Sequence, residues 1–350
     1  MADKKIKFSV FADLHYKYMM YAPTVEDLDK ILKRANENNV DFVIHCGDFC
    51  NDYIGSPELY NSYLNNKYGL EVHGIYGNHE LESNNNSMSF VTPKLTNGKE
   101  NNWGTFDRKI GDCNIAYYYF DKNGFRIICT DTNYSFNHDF SAWEHNRTCS
   151  YGPPADNSLR ESLGEKQLKW LEAVLLDAAQ KELKCIVFSH ASFSGIWGSS
   201  PDTAKVKDLF AKANNIRKDT VIMAINGHYH TNHLTENNGI VYMDVNTVKN
   251  GAWIAKGYPH YNDEHTFKVT EYDDDGNAIA KRDELLKKPW MSPNTWYFEE
   301  PLSAIITIRE NGHIAIDGMK TAWAYDVTPE ADGVGGCETQ ISSKEFKLNF

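Results

Sequence analysis

Short apolar runs alternate with helical patterns in the N-terminal part of the chain. The apolar runs occupy residues 6–12, 40–46 and 70–76, and each has the length of a single strand. Residues 24–38 place apolar side chains three and four positions apart, which predicts an amphipathic helix, and residues 57–67 predict a second helix. The order β-α-β-α-β with such apolar strands is typical of a parallel sheet covered on both faces.

The same alternation continues further along the chain. An Asn-Gly pair at residues 123–124 predicts a tight hairpin turn between two strands. The predicted elements after residue 100 are two hairpin strands, one helix and two further strands, at 115–120, 125–131, 163–181, 185–189 and 220–226. Together with the N-terminal elements they predict an α/β fold.

Three stretches depart from this pattern. Residues 83–104 are rich in Asn, Ser and Gly and are expected to form a surface insertion or lid, and residues 136–154 are another irregular stretch. After residue 250 the chain becomes strand-like and is interrupted by turns such as Asp275-Gly276. We therefore expect one domain over residues 1–250 and a β-rich C-terminal extension, residues 251–350, packed on its core.

Composition and charge narrow the class of protein. The chain has 350 residues and a hydrophobic fraction of 41%. Its formal net charge of −12 disfavours contact with nucleic-acid phosphates. No apolar run approaches the roughly 20 residues of a membrane helix, and the first residues lead directly into a strand. Seven cysteines without a Cys-x-x-Cys pair are typical of free thiols in a reducing compartment. We expect a cytoplasmic protein with no nucleic-acid or membrane partner, although a leader removed earlier would leave no trace.

Side chains able to bind metal ions or to transfer protons follow the apolar strands. In open α/β sheets, sites form at the carboxyl ends of the strands, so these side chains are expected to meet. They are Asp13, His15, Asp48, Asn78, His79, His190, His228 and His230. One histidine after a strand is more often a core residue than a ligand, but eight such residues after successive strands indicate a site. Four other histidines are expected to be structural, namely His45, His73, His138 and His145.

The residue types and spacings in this set favour a pair of metal ions. In Asp13-x-His15 and His228-x-His230, an extended backbone would place both side chains of each pair on one side. The ligands offer oxygen or imidazole nitrogen and no thiolate, which fits Mn, Fe, Zn or Co. Seven ligands exceed the needs of one tetrahedral ion but suit two ions that share a carboxylate, an arrangement used for in-line phosphoryl displacement.

The motifs of this chain occur in an order that resembles a known family. Asp-x-His, Gly-Asp, Gly-Asn-His-Glu, a single His and Gly-His-x-His follow one another as in the calcineurin-like metallophosphoesterase superfamily, across about residues 6–250. The resemblance implies a four-layer αββα sandwich, in which two mixed β-sheets are flanked by helices and two metal ions lie at the strand ends.

The resemblance also implies a role for each of these residues. One metal ion would be held by Asp13, His15 and His230. The other would be held by Asn78, His190 and His228, with Asp48 bridging the two. His79 would face the substrate phosphate, as general acid for the leaving oxygen or as a donor to the transition state.

Departures from the motifs point to one branch of the superfamily. Residues 187–190, Val-Phe-Ser-His, resemble the Val-x-x-His of purple acid phosphatases. That group, however, has a tyrosine where Asn51 stands here and a glycine in place of His15. The Asp-x-His form with Gly-Asn-His-Glu is most similar to the cyclic-nucleotide phosphodiesterase branch. The expected cofactors are therefore two divalent transition-metal ions (Mn, Fe or Zn), and a hydroxide bridging them would hydrolyse a small phosphodiester or nucleotide-like phosphate.

Other functions of the same fold stay open at this point. A phosphomonoesterase would use the same ligands, as would a DNA nuclease, which the acidic balance disfavours. A non-catalytic scaffold is expected to have lost ligands, and none is missing. Aromatic side chains near the strand ends and predicted lids could stack on a base of the substrate. They are Tyr16, Tyr18, Trp103, Tyr134, Phe136, Trp143 and Trp197.

Overall fold

The computed structural model covers both sheets and the helices that flank them. It describes residues 4–16, 23–49, 57–75, 77–78, 109–110, 113–114, 117–132, 161–195, 199–249, 271–272, 278–279, 297–324 and 338–348. The predicted insertion at 83–104 and the irregular stretch at 136–154 lie outside the described residues.

The described strands and helices follow one another along the chain as an α/β alternation with a strand-rich end. In chain order they are β1 (Lys5–Phe11), α1 (Val25–Glu37), β2 (Phe42–His45), α2 (Pro57–Leu64), β3 (Val72–Gly74), β4 (Lys109–Ile110), β5 (Cys113–Asn114), β6 (Tyr118–Lys122), β7 (Phe125–Cys129), α3 (Gly164–Gln180), β8 (Lys184–Ser189), α4 (Thr203–Ile216), β9 (Val221–Asn226), β10 (His233–Asn237), β11 (Ile240–Asp244), β12 (Glu271–Tyr272), β13 (Ala278–Ile279), β14 (Ala304–Arg309), β15 (His313–Asp317) and β16 (Lys344–Lys347).

Two six-stranded sheets form the centre of the molecule. The first has the order β16-β15-β14-β1-β2-β3 and the second the order β10-β11-β9-β8-β7-β6. β1, β2 and β3 are parallel to one another, as are β7, β8, β9 and β11, whereas the outer strands β6, β10, β14, β15 and β16 pair antiparallel. Both sheets are therefore mixed, as predicted.

Four layers result from the way these sheets pack. A large apolar core containing Phe8, Phe42 and Phe188 fills the space between the sheets. Residues of α1 and α2 cover the outer face of the first sheet, and α3 and α4 cover the second. This arrangement confirms the predicted αββα sandwich. Helix α4 was absent from the sequence-based prediction.

Helix α1 shows how local sequence specifies one of these layers. Thr24 accepts a hydrogen bond from the backbone N–H of Asp27, and Asp27 accepts one from the backbone of Thr24, which completes a capping box. Four apolar positions spaced for one helical face, Leu28, Ile31, Leu32 and Ala35, are buried, as the sequence pattern predicts. Among the described helices, none has the length and apolar character needed to cross a membrane.

The predicted hairpin between β6 and β7 is confirmed. Asn123 and Gly124 have φ values of 54° and 86°, which are the left-handed values of a tight hairpin turn. Near the other end, β12 and β13 pair antiparallel on either side of Asp275-Gly276, as a hairpin there requires. Residues 273–277 themselves lie outside the described part of the chain.

Three strands from the C-terminal segment join the first sheet directly. β14 pairs with β1 along six residues, from Lys5 opposite Arg309 to Val10 opposite Ala304. Ile306 and Ile308 of β14 lie in the core between the sheets. β14, β15 and β16 thus extend the first sheet through hydrogen-bonded strands, while a division into two domains at residue 250 stays a prediction.

Candidate metal centre

The candidate site lies at the carboxyl ends of strands from both sheets. Loops after β1, β2 and β3 come from the first sheet, and loops after β8 and β9 come from the second. The backbone N–H of Asp13 donates to the carbonyl of Gly47 at 3.1 Å, and that of His15 donates to Asp48 at 2.9 Å. These bonds hold the first two loops side by side. The structure brings together seven of the predicted residues, Asp13, His15, Asp48, Asn78, His190, His228 and His230.

Asp13, His15 and His230 form a first cluster, and all three are buried. The Nε2 atoms of His15 and His230 lie 3.1 Å apart. Asp13 Oδ1 lies 3.4 Å from Nε2 of His230 and 4.0 Å from Nε2 of His15. One carboxylate oxygen and two imidazole nitrogens therefore converge on one point, as ligands of a metal ion do.

A second cluster centres on His190. Its Nε2 atom lies 3.2 Å from Asp48 Oδ2, 3.0 Å from His228 Nδ1 and 3.0 Å from Asn78 Oδ1. The Nδ1 atom of His190 points the other way and contacts the carbonyl oxygen of Cys46 at 2.7 Å. Because that carbonyl can only accept, Nδ1 carries a proton, and Nε2 is the nitrogen that would face a metal ion.

Asp48 connects the two clusters. The same Oδ2 atom that approaches His190 also lies 3.7 Å from Nε2 of His15 in the first cluster. On the other side, both carboxylate oxygens of Asp13 accept the backbone N–H of His228, at 2.9 and 3.1 Å. The two groups of ligands are thus adjacent, with one carboxylate positioned between them.

The backbone at these residues differs from the sequence-based prediction. Positive φ values occur at Asp13 (54°), His15 (49°), Asp48 (49°), His228 (75°) and His230 (52°). The prediction that the Asp-x-His and His-x-His pairs lie on extended backbone is therefore wrong. Each chain segment curls at the end of its strand, and as a result His228 and His230 belong to different clusters. Such conformations cost about 1–3 kcal/mol each and persist only where the surroundings hold them.

Glycines leave room for the ligands. Gly47 has a φ of 91°, and a Cβ atom there would overlap the His190 ring and come within 2.7 Å of the Gly77 backbone N. A Cβ atom on Gly77 would overlap Oδ1 of Asp48 and the Asp48 backbone. The sequence pattern attributed Gly77 to a sharp turn, and the structure adds this close approach to Asp48 as a reason for glycine.

Electrostatics in the site favour positive charge. Burial lowers the pKa of His190, but the carboxylates of Asp48 and Asp13 outweigh burial and raise it to about 10. Burial acts to raise the pKa of Asp13, yet the neighbouring His230 holds that carboxyl below its ordinary value. The buried carboxylates thus stabilise cationic groups beside them, which is also what a divalent cation requires.

The donor set fits a transition-metal ion with oxygen and nitrogen ligands. Cys46, which follows β2, presents its carbonyl to His190, and burial raises the pKa of its thiol well above the ordinary value. Among the described residues, neither cluster contains a cysteine, so the ligands placed here differ from those of a thiolate zinc site. Carboxylate, amide oxygen and imidazole suit Mn, Fe, Zn or Co.

One residue beside the site was missed by sequence reasoning. Oε1 of Glu161 lies 2.7 Å from Nε2 of His228, and Oε2 accepts a hydrogen bond from the hydroxyl of Tyr229 at 3.0 Å. Burial acts to raise the pKa of Glu161, but the contact with His228 keeps it below its ordinary value. Glu161 is 67 positions from His228, and no spacing in the sequence connects the two.

Other predicted residues are placed away from the clusters or are not described. Tyr16 is buried and belongs to the apolar cluster beneath α1 and α2. His45 and His73 are buried in β2 and β3 and belong to neither cluster. Outside the described residues are His79, His138, His145, Tyr18, Trp103, Tyr134, Phe136, Trp143 and Trp197.

Comparisons with known proteins identify the family and the fold of the chain. The model of the calcineurin-like phosphoesterase family matches residues 6–232. A curated relative, the manganese-dependent ADP-ribose/CDP-alcohol diphosphatase of Danio rerio, is 23% identical and aligns over 54% of this chain and 71% of its own length. The crystal structure of a dimetal phosphatase from Danio rerio has a TM-score of 0.58 at 16% identity, covering 91% of this chain and 98% of that one.

The structural likeness shows a shared fold, and the family match extends over more than half of the chain. The two ligand clusters supply what a dinuclear divalent metal centre needs. The chain therefore belongs to the calcineurin-like phosphoesterase family and is a metal-dependent phosphohydrolase.

Proposed function

We propose that this protein hydrolyses a small phosphodiester or a nucleotide-like diphosphate at a manganese-dependent dinuclear centre. The observation that carries the proposal is the position of Asp48, whose Oδ2 lies 3.2 Å from His190 and 3.7 Å from His15. A carboxylate within reach of both clusters suits a pair of ions that act on one phosphate.

The geometry supports one division of the ligands. Asp13, His15 and His230 would hold one ion, because their donor atoms face one another in the first cluster. Asn78, His190 and His228 would hold the second ion, and Asp48 would bridge the two. Bound there, two divalent ions would supply an activated water at neutral pH and neutralise the charge of the phosphate oxygens.

A side chain of the protein would supply the proton that the leaving oxygen needs. Asn78 lies in the loop after β3, and its amide oxygen is 3.0 Å from Nε2 of His190. His79 is the next residue in the sequence. His79 would donate a proton to the departing oxygen of the ester, since an imidazole can transfer protons near neutral pH. Gly77 and Gly47 keep the loops close enough for this arrangement.

Two considerations favour a small substrate. The chain carries a formal net charge of −12, which repels polyanions at long range, whereas a metal pair attracts one phosphate group locally. The Danio rerio relative is described as a manganese-dependent ADP-ribose/CDP-alcohol diphosphatase, so its substrates are small diphosphates. We extend that substrate class to this protein, with manganese as the metal.

The proposal is tested by comparing substrates in the presence of Mn²⁺. Bis-p-nitrophenyl phosphate and p-nitrophenyl phosphate share one leaving group and separate diester from monoester hydrolysis. ADP-ribose, a CDP-alcohol and a cyclic nucleotide then test the nucleotide-like class. The variant H190A, assayed in parallel, measures any activity from a contaminating phosphatase. We expect diester and diphosphate hydrolysis well above the H190A background. Monoester turnover far above diester turnover, with no nucleotide cleaved, would contradict the proposal.

A further inference from the structure

Glu161 lies outside every motif of the sequence, yet it contacts one of the proposed metal ligands. Its Oε1 atom is 2.7 Å from Nε2 of His228, and its side chain is 26% exposed. The opposite ring nitrogen, Nδ1 of His228, lies 3.0 Å from Nε2 of His190 and faces the second cluster. His228 therefore has one nitrogen at the metal site and the other on a carboxylate.

We propose that Glu161 is a positioning residue that holds His228 in the orientation and protonation form required of a metal ligand. The inference rests on the proposed function, because it takes His228 as a ligand of the second ion. A neutral imidazole carries one N–H, and an ionised carboxylate can only accept a hydrogen bond. The proton of His228 is therefore placed on Nε2, and Nδ1 presents its lone pair to the site.

The carboxylate does more than select one tautomer. A hydrogen bond from an imidazole N–H to a carboxylate raises the basicity of the other ring nitrogen and fixes the rotation of the ring. His190 makes a corresponding contact with the carbonyl of Cys46, at 2.7 Å. His228 is the more exposed of the two rings, with 15% of its side chain accessible, and it has the charged partner.

The backbone around Glu161 is held in place from the loop that follows β8. Glu161 has a φ of 58°, and its carbonyl accepts a hydrogen bond from the hydroxyl of Ser200 at 2.6 Å. Asp202 binds the two residues that follow Glu161. It accepts hydrogen bonds from the hydroxyl of Ser162 at 2.6 Å and from the backbone N–H of Leu163 at 2.9 Å. The left-handed residue is thus fixed by partners on both sides, which is the condition for such a conformation to persist.

The second oxygen of Glu161 is also occupied. The hydroxyl of Tyr229 donates to Oε2 at 3.0 Å, and the Tyr229 and His228 rings contact each other edge to face at 4.5 Å. Both oxygens of the carboxylate are therefore bound within the loop that carries His228. These two contacts oppose rotation of the carboxylate away from the ring, which supports a role in positioning.

The test is Mn²⁺ binding to the full chain, measured by titration calorimetry after the protein has been stripped of metal with a chelator. The variant E161Q keeps the size of the side chain but removes the charge. The matched control is E165Q, the same substitution four residues along, where Glu165 is 82% exposed. We expect wild type and E165Q to bind two equivalents alike, and E161Q to lose about 10–100-fold in affinity for one of them.

The melting temperature of the metal-free protein separates positioning from a general effect on the fold. We expect metal-free E161Q and metal-free E165Q to have the same melting temperature. Wild-type affinity of E161Q for both equivalents would overturn the positioning role and leave the metal centre intact. Equal weakening of both equivalents with a lowered melting temperature would also overturn it. If wild-type protein binds no Mn²⁺, the proposed function fails instead, and the two failures are thereby distinguished.

Discussion

Gly77 packs so closely against Asp48 that a Cβ atom on the glycine would overlap Oδ1 of the carboxylate. The loop after β3 and the loop after β2 thus meet at the residue that lies between the two ligand clusters. A side chain at position 77 must displace either Asp48 or the turn that leads into Asn78, because the overlap involves the backbone of Asp48 as well.

The variant G77A is therefore expected to lose activity and metal. A displacement of about 1 Å in a catalytic arrangement costs on the order of 100-fold in rate, and we expect a loss of that size. Turnover and metal content of the purified variant measure it. G69A is the control, since a Cβ atom on Gly69 meets no neighbour within 4 Å, while its φ of 66° means that alanine there reports backbone strain without a clash. Normal metal content in G77A would contradict the packing argument.

His79 and His190 are expected to respond differently to removal. H79A should keep its metal and lose about 10²–10⁴-fold in turnover, because a general acid acts on the substrate. H190A should lose metal, because His190 contacts Asp48, Asn78 and His228. H313A, on a strand far along the first sheet, is the control for loss of an imidazole.

The basicity of the leaving oxygen gives a second test of His79 as a general acid. A general acid matters less when the leaving oxygen is already a weak base, so H79A should lose less activity on a nitrophenyl diester than on a cyclic nucleotide, whose leaving oxygen is a strongly basic ribose alkoxide. Elemental analysis of both variants completes the test. Loss of metal in H79A would show that His79 is a ligand and that the assigned roles are wrong.

Local patterns in the sequence predicted the strand ends and the polar side chains that cluster there, because each Asp, Asn or His follows an apolar run. Their role as metal ligands stays a prediction. The local patterns could not show the left-handed backbone of Asp13 or His228, which arises where loops from two sheets are packed together. They also could not connect Glu161 with His228, since the two residues meet only through the folded chain. The pairing of β14 with β1 is a long-range contact of the same kind.

The pairing of β14 with β1 makes the C-terminal segment part of the sheet that carries the metal centre. Asp13 and His15 lie in the segment that follows β1, and β1 pairs with β14 along six residues. We expect a chain ending at residue 250 to be insoluble or to melt far below the full chain, because β1 would become an exposed sheet edge. Thermal melting and solubility measure this. A stable, metal-binding fragment would show that residues 1–250 fold alone.

His233 and Asp244 form a cross-strand pair whose contribution depends on pH. They lie opposite each other on β10 and β11, with Nδ1 of His233 2.7 Å from Oδ2 of Asp244. This hydrogen bond raises the pKa of His233 above its ordinary value of 6.5. A raised pKa means that the stabilisation is complete below about pH 6.5 and is lost as the pH rises through the folded-state pKa.

The variant H233Q tests this dependence, because its amide can still donate to Asp244 but carries no charge. Since 34% of the His233 side chain is exposed, solvent screening limits the contribution to about 1 kcal/mol or less. Melting of the metal-free proteins between about pH 5.5 and 8.5 measures the difference. We expect wild type to exceed H233Q at the acidic end and the gap to close toward the basic end. A gap that widens with rising pH would contradict the sign of the shift.

The number of metal ions bound per chain is the decisive quantity for the dinuclear centre. Elemental analysis of protein reconstituted with Mn²⁺ and freed of excess metal should give close to two equivalents, because Asp13, His15 and His230 face one point and Asp48, His190 and His228 face another. D48A should lower that number most, since it removes the carboxylate between the two ions and leaves their charges unscreened. Wild-type protein with no bound metal, and no activity recovered on adding Mn²⁺, would contradict the dinuclear centre.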